Sequence, residues 1–77
     1  MGNQNRYEIS PRSTGGFERT MGGRHGCAAA AEIFLQENPS EQAVGCYHSH
    51  PSPGPVRRFI GEARRQEDGS IKFVRQH

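Results

Sequence analysis

The sequence has no tryptophan, a single lysine and only two cysteines among its 77 residues. Two cysteines, Cys27 and Cys46, are too few to brace a small secreted scaffold, which relies on several bridges. A Cys27–Cys46 bridge is one state open to the pair, and two reduced thiols in a cytosol are the expected one. There is no apolar run of about 20 residues that would span a bilayer. The N-terminal stretch MGNQNRYEIS is polar and lacks the apolar core of a signal peptide. Gly2 follows Met1, but Arg6 stands where a myristoylation signal carries Ser or Thr. The expectation is a cytoplasmic protein in a bacterial host cell, with no membrane contact. Hydrophobic residues make up 31% of the chain and mean hydropathy is −0.89. Such a chain builds one small core, so a single domain over residues 1–77 is expected, with a stability of roughly a few kcal/mol.

What is plentiful is glycine, proline and arginine. Ten Gly and five Pro imply short elements joined by turns. Arginine supplies nine of the ten basic side chains, and net charge is +2. The guanidinium is a planar fork that matches phosphates and carboxylates. A GC-rich genome is an equally good reason for arginine in place of lysine. The basic residues concentrate toward the end of the chain. Residues 57–77 carry Arg57, Arg58, Arg64, Arg65, Lys72 and Arg75 against Glu62, Glu67 and Asp68.

Periodicity outlines the elements. Tyr7 and Ile9 alternate with Arg6, Glu8 and Ser10 as a short strand. PRSTGG, residues 11–16, is a turn, and Phe17 to Met21 alternate as a second strand. GGRHG, residues 22–26, reads as a loop. Cys27 to Asn38 reads as the one helix, with Cys27, Ala30, Ala31, Phe34 and Leu35 forming its apolar stripe. Pro39 ends it. Val44 to His50 forms a third strand, with Val44, Cys46, His48 and His50 on one face and Tyr47 and Ser49 on the other. PSPGP, residues 51–55, cannot lie inside a sheet. Arg58–Gln66 and Ser70–Gln76 then form a hairpin. The expected fold is α+β: a small antiparallel sheet with one helix packed on one face, in the order β-β-α-β-β-β. Its expected core is Tyr7, Ile9, Phe17, Ala31, Phe34, Leu35, Val44, Phe59, Ala63, Ile71 and Phe73. A three-residue Glu67-Asp68-Gly69 loop pairs Phe73 with Ala63 and Ile71 with Arg65, with Gly69 at positive φ. It is expected to bring Phe59 onto the same face.

One segment carries a chemical motif. VGCYHSHP, residues 44–51, resembles the metal-binding strand of the JAMM/MPN metallopeptidases, which cleave isopeptide bonds. Two histidines at i and i+2 leave a strand on one side, so His48 and His50 can reach one zinc ion. The resemblance implies a third ligand, an Asp, at the position held by Gly61, and a Ser at the position held by Arg58. Glu62 is one residue out of place and the first Asp is Asp68. The motif is therefore incomplete for hydrolysis. The expectation is no catalytic residue, no metal and no cofactor, with zinc on His48 and His50 as an alternative. Cys46 beside His48 lacks the orienting group of a working nucleophile. The glycine-rich pieces TGG and GGRHG lack the P-loop lysine and the dinucleotide spacing.

The basic C-terminal hairpin is the remaining candidate. Phe59 and Phe73 are expected in the core, so the hairpin fits phosphate or carboxylate contact better than base stacking. Its outer face is expected to carry Arg58, Ile60, Glu62 and Arg64 on one strand and Lys72, Val74 and Gln76 on the other. The expected partner site is Arg58, Ile60, Arg64, Lys72 and Val74, an apolar centre with a charged rim. In size and element order the chain resembles the small phage-encoded anti-CRISPR proteins that act on type I systems, a group without a shared motif. That resemblance implies a non-enzymatic inhibitor, a monomer or small homo-oligomer. It would dock on an RNA-guided surveillance complex and block DNA targeting. A small nucleic-acid-binding protein and a degenerate JAMM-like zinc-binding protein are the alternatives.

Overall fold

The computed structural model describes residues 6–50 and 56–76. The proline-rich stretch 51–55 lies outside them. Five strands and one helix follow in chain order: β1 (Arg6–Pro11), β2 (Glu18–Thr20), α1 (Gly23–Glu37), β3 (Ala43–His50), β4 (Val56–Arg65) and β5 (Ile71–Arg75). The strands form one antiparallel sheet in the order β2-β1-β3-β4-β5. Helix α1 connects the β1-β2 hairpin to the β3-β4-β5 meander and contacts all five strands from one side. The fold class is α+β. No helix among the described residues is long and apolar enough to cross a membrane.

The core forms where the helix stripe meets the inward positions of β1, β3 and β4. Ile9, Cys27, Ala31, Leu35, Val44, Cys46 and Ala63 are buried, with Tyr7, Ala30, Phe34, Ile60, Ile71 and Phe73 packed around them. Small residues dominate its centre, and the two cysteines fill it. Cys27 Sγ donates to the Glu8 carbonyl at 3.4 Å, and Cys46 Sγ donates to the Cys27 carbonyl at 3.5 Å. Both thiols are free. The hydrogen bond with Cys27, together with burial, pushes the Cys46 thiol far above its ordinary range.

The helix starts four residues earlier than its apolar stripe suggests. GGRHG is not a loop but the helix entry. Gly22 is the N-cap in the left-handed region, and Gly26 N–H donates to the Gly22 carbonyl at 3.1 Å. A side chain at position 26 would collide with the Met21 carbonyl, so a glycine-rich segment is what lets the first turn close. At the other end, Arg65 reaches back from β4. Its Nη2 donates to the Leu35 carbonyl at 2.6 Å and to that of Asn38 at 3.3 Å, while Nε donates to the Glu41 carbonyl at 3.2 Å. A carbonyl of the last helical turn, the C-cap carbonyl and one just beyond thus meet a cation, which also suits the negative end of the helix dipole.

The C-terminal hairpin has the expected register. Phe73 lies opposite Ala63, Ile71 lies opposite Arg65, and Gly69 has φ 91. The expectation for Phe59 and Phe17 is overturned. Cys46 faces Gly61 and Tyr47 faces Phe59, so Ile60 is an extra residue in β4, a β-bulge. Past the bulge every side chain changes face. Phe59 turns away from the helix onto the open face, where Phe17 also lies, 39% exposed. Ile60 packs against the core instead of lying outside. Gly61 explains why the bulge forms here. Its φ is 155, and an added Cβ would come within 2.6 Å of the Val74 carbonyl and 2.9 Å of the Phe73 ring.

Candidate anion-binding cleft

The bulge also divides the expected partner face. Arg64, Lys72 and Val74 stay on the open face, with Arg64 opposite Lys72 and Val74 opposite Glu62. Arg58 and Ile60 turn to the helix side, where they line a cleft of about 850 Å³ at the N-terminal end of α1. Arg24, His25 and Ala28 form its helix wall. His48 of β3 and Arg58 of β4 form the sheet wall, Ile60 and Phe73 the apolar floor, and Arg75 with Gln76 the far rim.

Among the described residues no acidic side chain lines this cleft. Among the described residues the ion pairs are Arg57–Glu8 at 2.8 Å and Arg64–Glu62 at 3.2 Å. Arg24, Arg58 and Arg75 therefore have no carboxylate partner there. The helix adds to this field. Gly22 provides no side-chain cap, and the first turn of α1 holds no acidic residue. The orphan N–H groups and positive dipole end of a 15-residue helix meet the same opening.

His48 registers the field. Its ring stacks on Tyr7 at 4.8 Å and meets His50 edge-on at 4.4 Å. Its Nε2 is buried and has no hydrogen-bond partner among the described residues. Burial holds the imidazole below its usual range, and the charges of His50, Arg24 and Arg58 lower it further. An anion in the cleft would offset the charges of Arg24 and Arg58, relieving the repulsion among the arginines and favouring a protonated His48.

His48 and His50 do lie together, yet no group of three His, Cys, Asp or Glu side chains among the described residues is placed to hold a metal. Position 61, where the JAMM pattern carries its aspartate, is a buried glycine beneath the Phe73 ring. A carboxylate there would have to displace that ring. Arg24, His25 and Arg75 escape a reading of the sequence because they come from a segment read as a loop and from a strand end. The nearest signal is the i, i+4 spacing of Arg24 and Ala28, visible only once the helix start is known. Comparison with protein-family models, with curated proteins and with solved structures found no match.

Proposed function

We propose that the protein is a non-enzymatic binding protein whose partner presents phosphate groups, a nucleic-acid strand either free or held in a ribonucleoprotein. The observation that carries this reading is the cleft: three guanidinium groups without a carboxylate partner among the described residues, gathered at an uncapped helix N-terminus. Keeping three cations together without counter-charge costs stability, and an anionic ligand offsets that cost. The planar forks donate to phosphate oxygens in pairs, and the backbone N–H groups of the first helical turn donate from a third direction. The apolar floor of Ile60 and Phe73 suits the sugar or base beyond the phosphate.

Stoichiometric inhibition of an RNA-guided surveillance complex is a specific form of this reading. Such a complex carries a guide strand whose phosphates match the cleft. Its test is target-DNA binding by a purified type I complex, which the protein should abolish at equimolar ratio.

The general reading is tested by NMR titration of the ¹⁵N-labelled protein with a nucleoside 5′-monophosphate and with the matching uncharged nucleoside. The monophosphate should shift the amides of residues 23–26 and the His48 ring. The nucleoside should shift neither, and the double variant Arg24→Ala/Arg58→Ala should lose the response. Shifts spread evenly over the surface, or unchanged in the variant, would contradict the reading.

A further inference from the structure

The face of the sheet opposite the helix is not covered by any described element. Three aromatic side chains run across it. Phe17, preceding β2, meets Tyr47 of β3 edge-on at 5.1 Å, and Tyr47 meets Phe59 of β4 edge-on at 5.4 Å. The Tyr47 ring lies beside Gly45, where a Cβ would come within 3.0 Å of it. Arg57 lays its guanidinium over the Phe17 ring at 4.2 Å and is held there by Glu8. The planar groups thus form a row, braced from beneath by the sheet and from the side by an ion pair.

The charge around the row has one sign in excess. Strand registers put Arg6, Arg19, Arg57, Arg64 and Lys72 on this face, against Glu8 and Glu62. The two glutamates are engaged by Arg57 and Arg64, which leaves Arg6, Arg19 and Lys72 without an ion pair among the described residues. Two copies of such a face would repel one another across a symmetric interface. A polyanion carrying flat apolar groups complements both properties: aromatic planes for the bases, flanking cations for the backbone.

We infer that the open face is a stacking platform for single-stranded nucleic acid, with Phe17, Tyr47 and Phe59 contacting bases and Arg6, Arg19 and Lys72 contacting the backbone. The inference rests on the phosphate-binding reading of the cleft and adds the chemical class of the partner: a strand with unpaired bases. Arg57 and Arg58 are neighbours in β4 that point to opposite faces, so one strand passing the first residues of β4, which pair with β3 but not with β5, reaches both the platform and the cleft.

The platform is testable with the protein's own fluorescence. The chain has no tryptophan and two tyrosines, Tyr7 and Tyr47, so Tyr7→Phe leaves Tyr47 as the one emitting residue. In that background a single-stranded oligonucleotide of about eight residues should quench the emission. It should also bind at least roughly fivefold more tightly than an abasic strand with the same number of phosphates. Phe17→Ala, at a half-exposed position, should remove most of that preference. A fully paired duplex should bind without quenching. Equal affinity for the two strands, without quenching, overturns the platform and leaves the cleft standing. Failure of both strands to bind overturns the two together. Self-association that Phe17→Ala abolishes, and that the strand does not affect, assigns the face to a second copy instead.

Discussion

Single side chains decide whether the helix stays docked and whether the cleft stays charged. Arg65 caps the carbonyls of Leu35, Asn38 and Glu41 from a neighbouring strand. Hydrogen bonds from a charged donor contribute about 1.5–3 kcal/mol. Arg65→Ala should therefore lower stability by about that amount in urea denaturation, a large share of what so small a domain has. Arg65→Lys should recover little, since one ammonium does not span three carbonyls. His48 predicts a pH effect with a definite sign. Its folded-state pKa lies below the usual value, so the unfolded chain binds the proton first as pH falls. Its contribution is fully present above about pH 6.5 and is lost as pH falls toward the folded value. His48→Gln should flatten the stability profile in that window. Anion binding should act in reverse, taking up a proton, so affinity for a phosphodiester strand should rise as pH is lowered from 8 to 6.

Among the elements, the sequence is readable wherever local chemistry decides and unreadable where a partner strand decides. Glu67-Asp68-Gly69 specifies its own loop. Gly69 supplies the positive φ, Asp68 Oδ1 accepts from Ser70 N–H at 3.0 Å and Ser70 Oγ at 2.7 Å, and the register of Phe73 and Ile71 follows. The helix stripe at Cys27, Ala31 and Leu35 is equally plain, because three and four residues separate its members. Its first turn is not. Gly22, Gly23 and Gly26 carry the composition of a loop, and only the close approach of the Met21 carbonyl explains them. The bulge at Ile60 escapes for another reason. Phe59 and Ile60 are adjacent apolar residues, and which of them is inserted is defined only by the pairing of β4 with β3. That single displacement moves Phe59 to the open face and Arg58 into the cleft, so half of the candidate site was hidden with it. Deleting Ile60 should make Cys46–Gly61 and Tyr47–Phe59 consecutive pairs, leaving Phe59 on the open face with the bulge removed. The loss of a residue packed against the core should then lower stability measurably in thermal unfolding. Gly61→Ala should destabilise as well, by about 1–3 kcal/mol, through overpacking against Phe73 and the Val74 carbonyl.

At the scale of the whole molecule, the modest net charge of +2 conceals an uneven layout. Cations gather on the open face and in the cleft, on both sides of the same strand β4. Several acidic side chains are committed to structure. Glu8 and Glu62 hold Arg57 and Arg64, and Glu41 accepts the Ser13 N–H at 3.0 Å; hydrogen bonding from the Ser13 side chain and backbone lowers its carboxyl below the usual range. Counting residues does not reveal this asymmetry, and the fold does. Its consequence is steep electrostatics from a nearly neutral protein. The most direct measurement is the affinity for a single-stranded oligonucleotide as a function of salt, for the wild-type protein and for Arg24→Glu/Arg58→Glu, with circular dichroism showing both folded. Binding should weaken linearly in log–log form, and each phosphate contact should add roughly 0.7 to the slope for a single strand. The charge-reversal variant should lose at least about tenfold in affinity at low salt, and its slope should fall by about 1.4, for two contacts removed. Wild-type binding that ignores salt, or a variant that binds as tightly and with the same slope, would contradict the account.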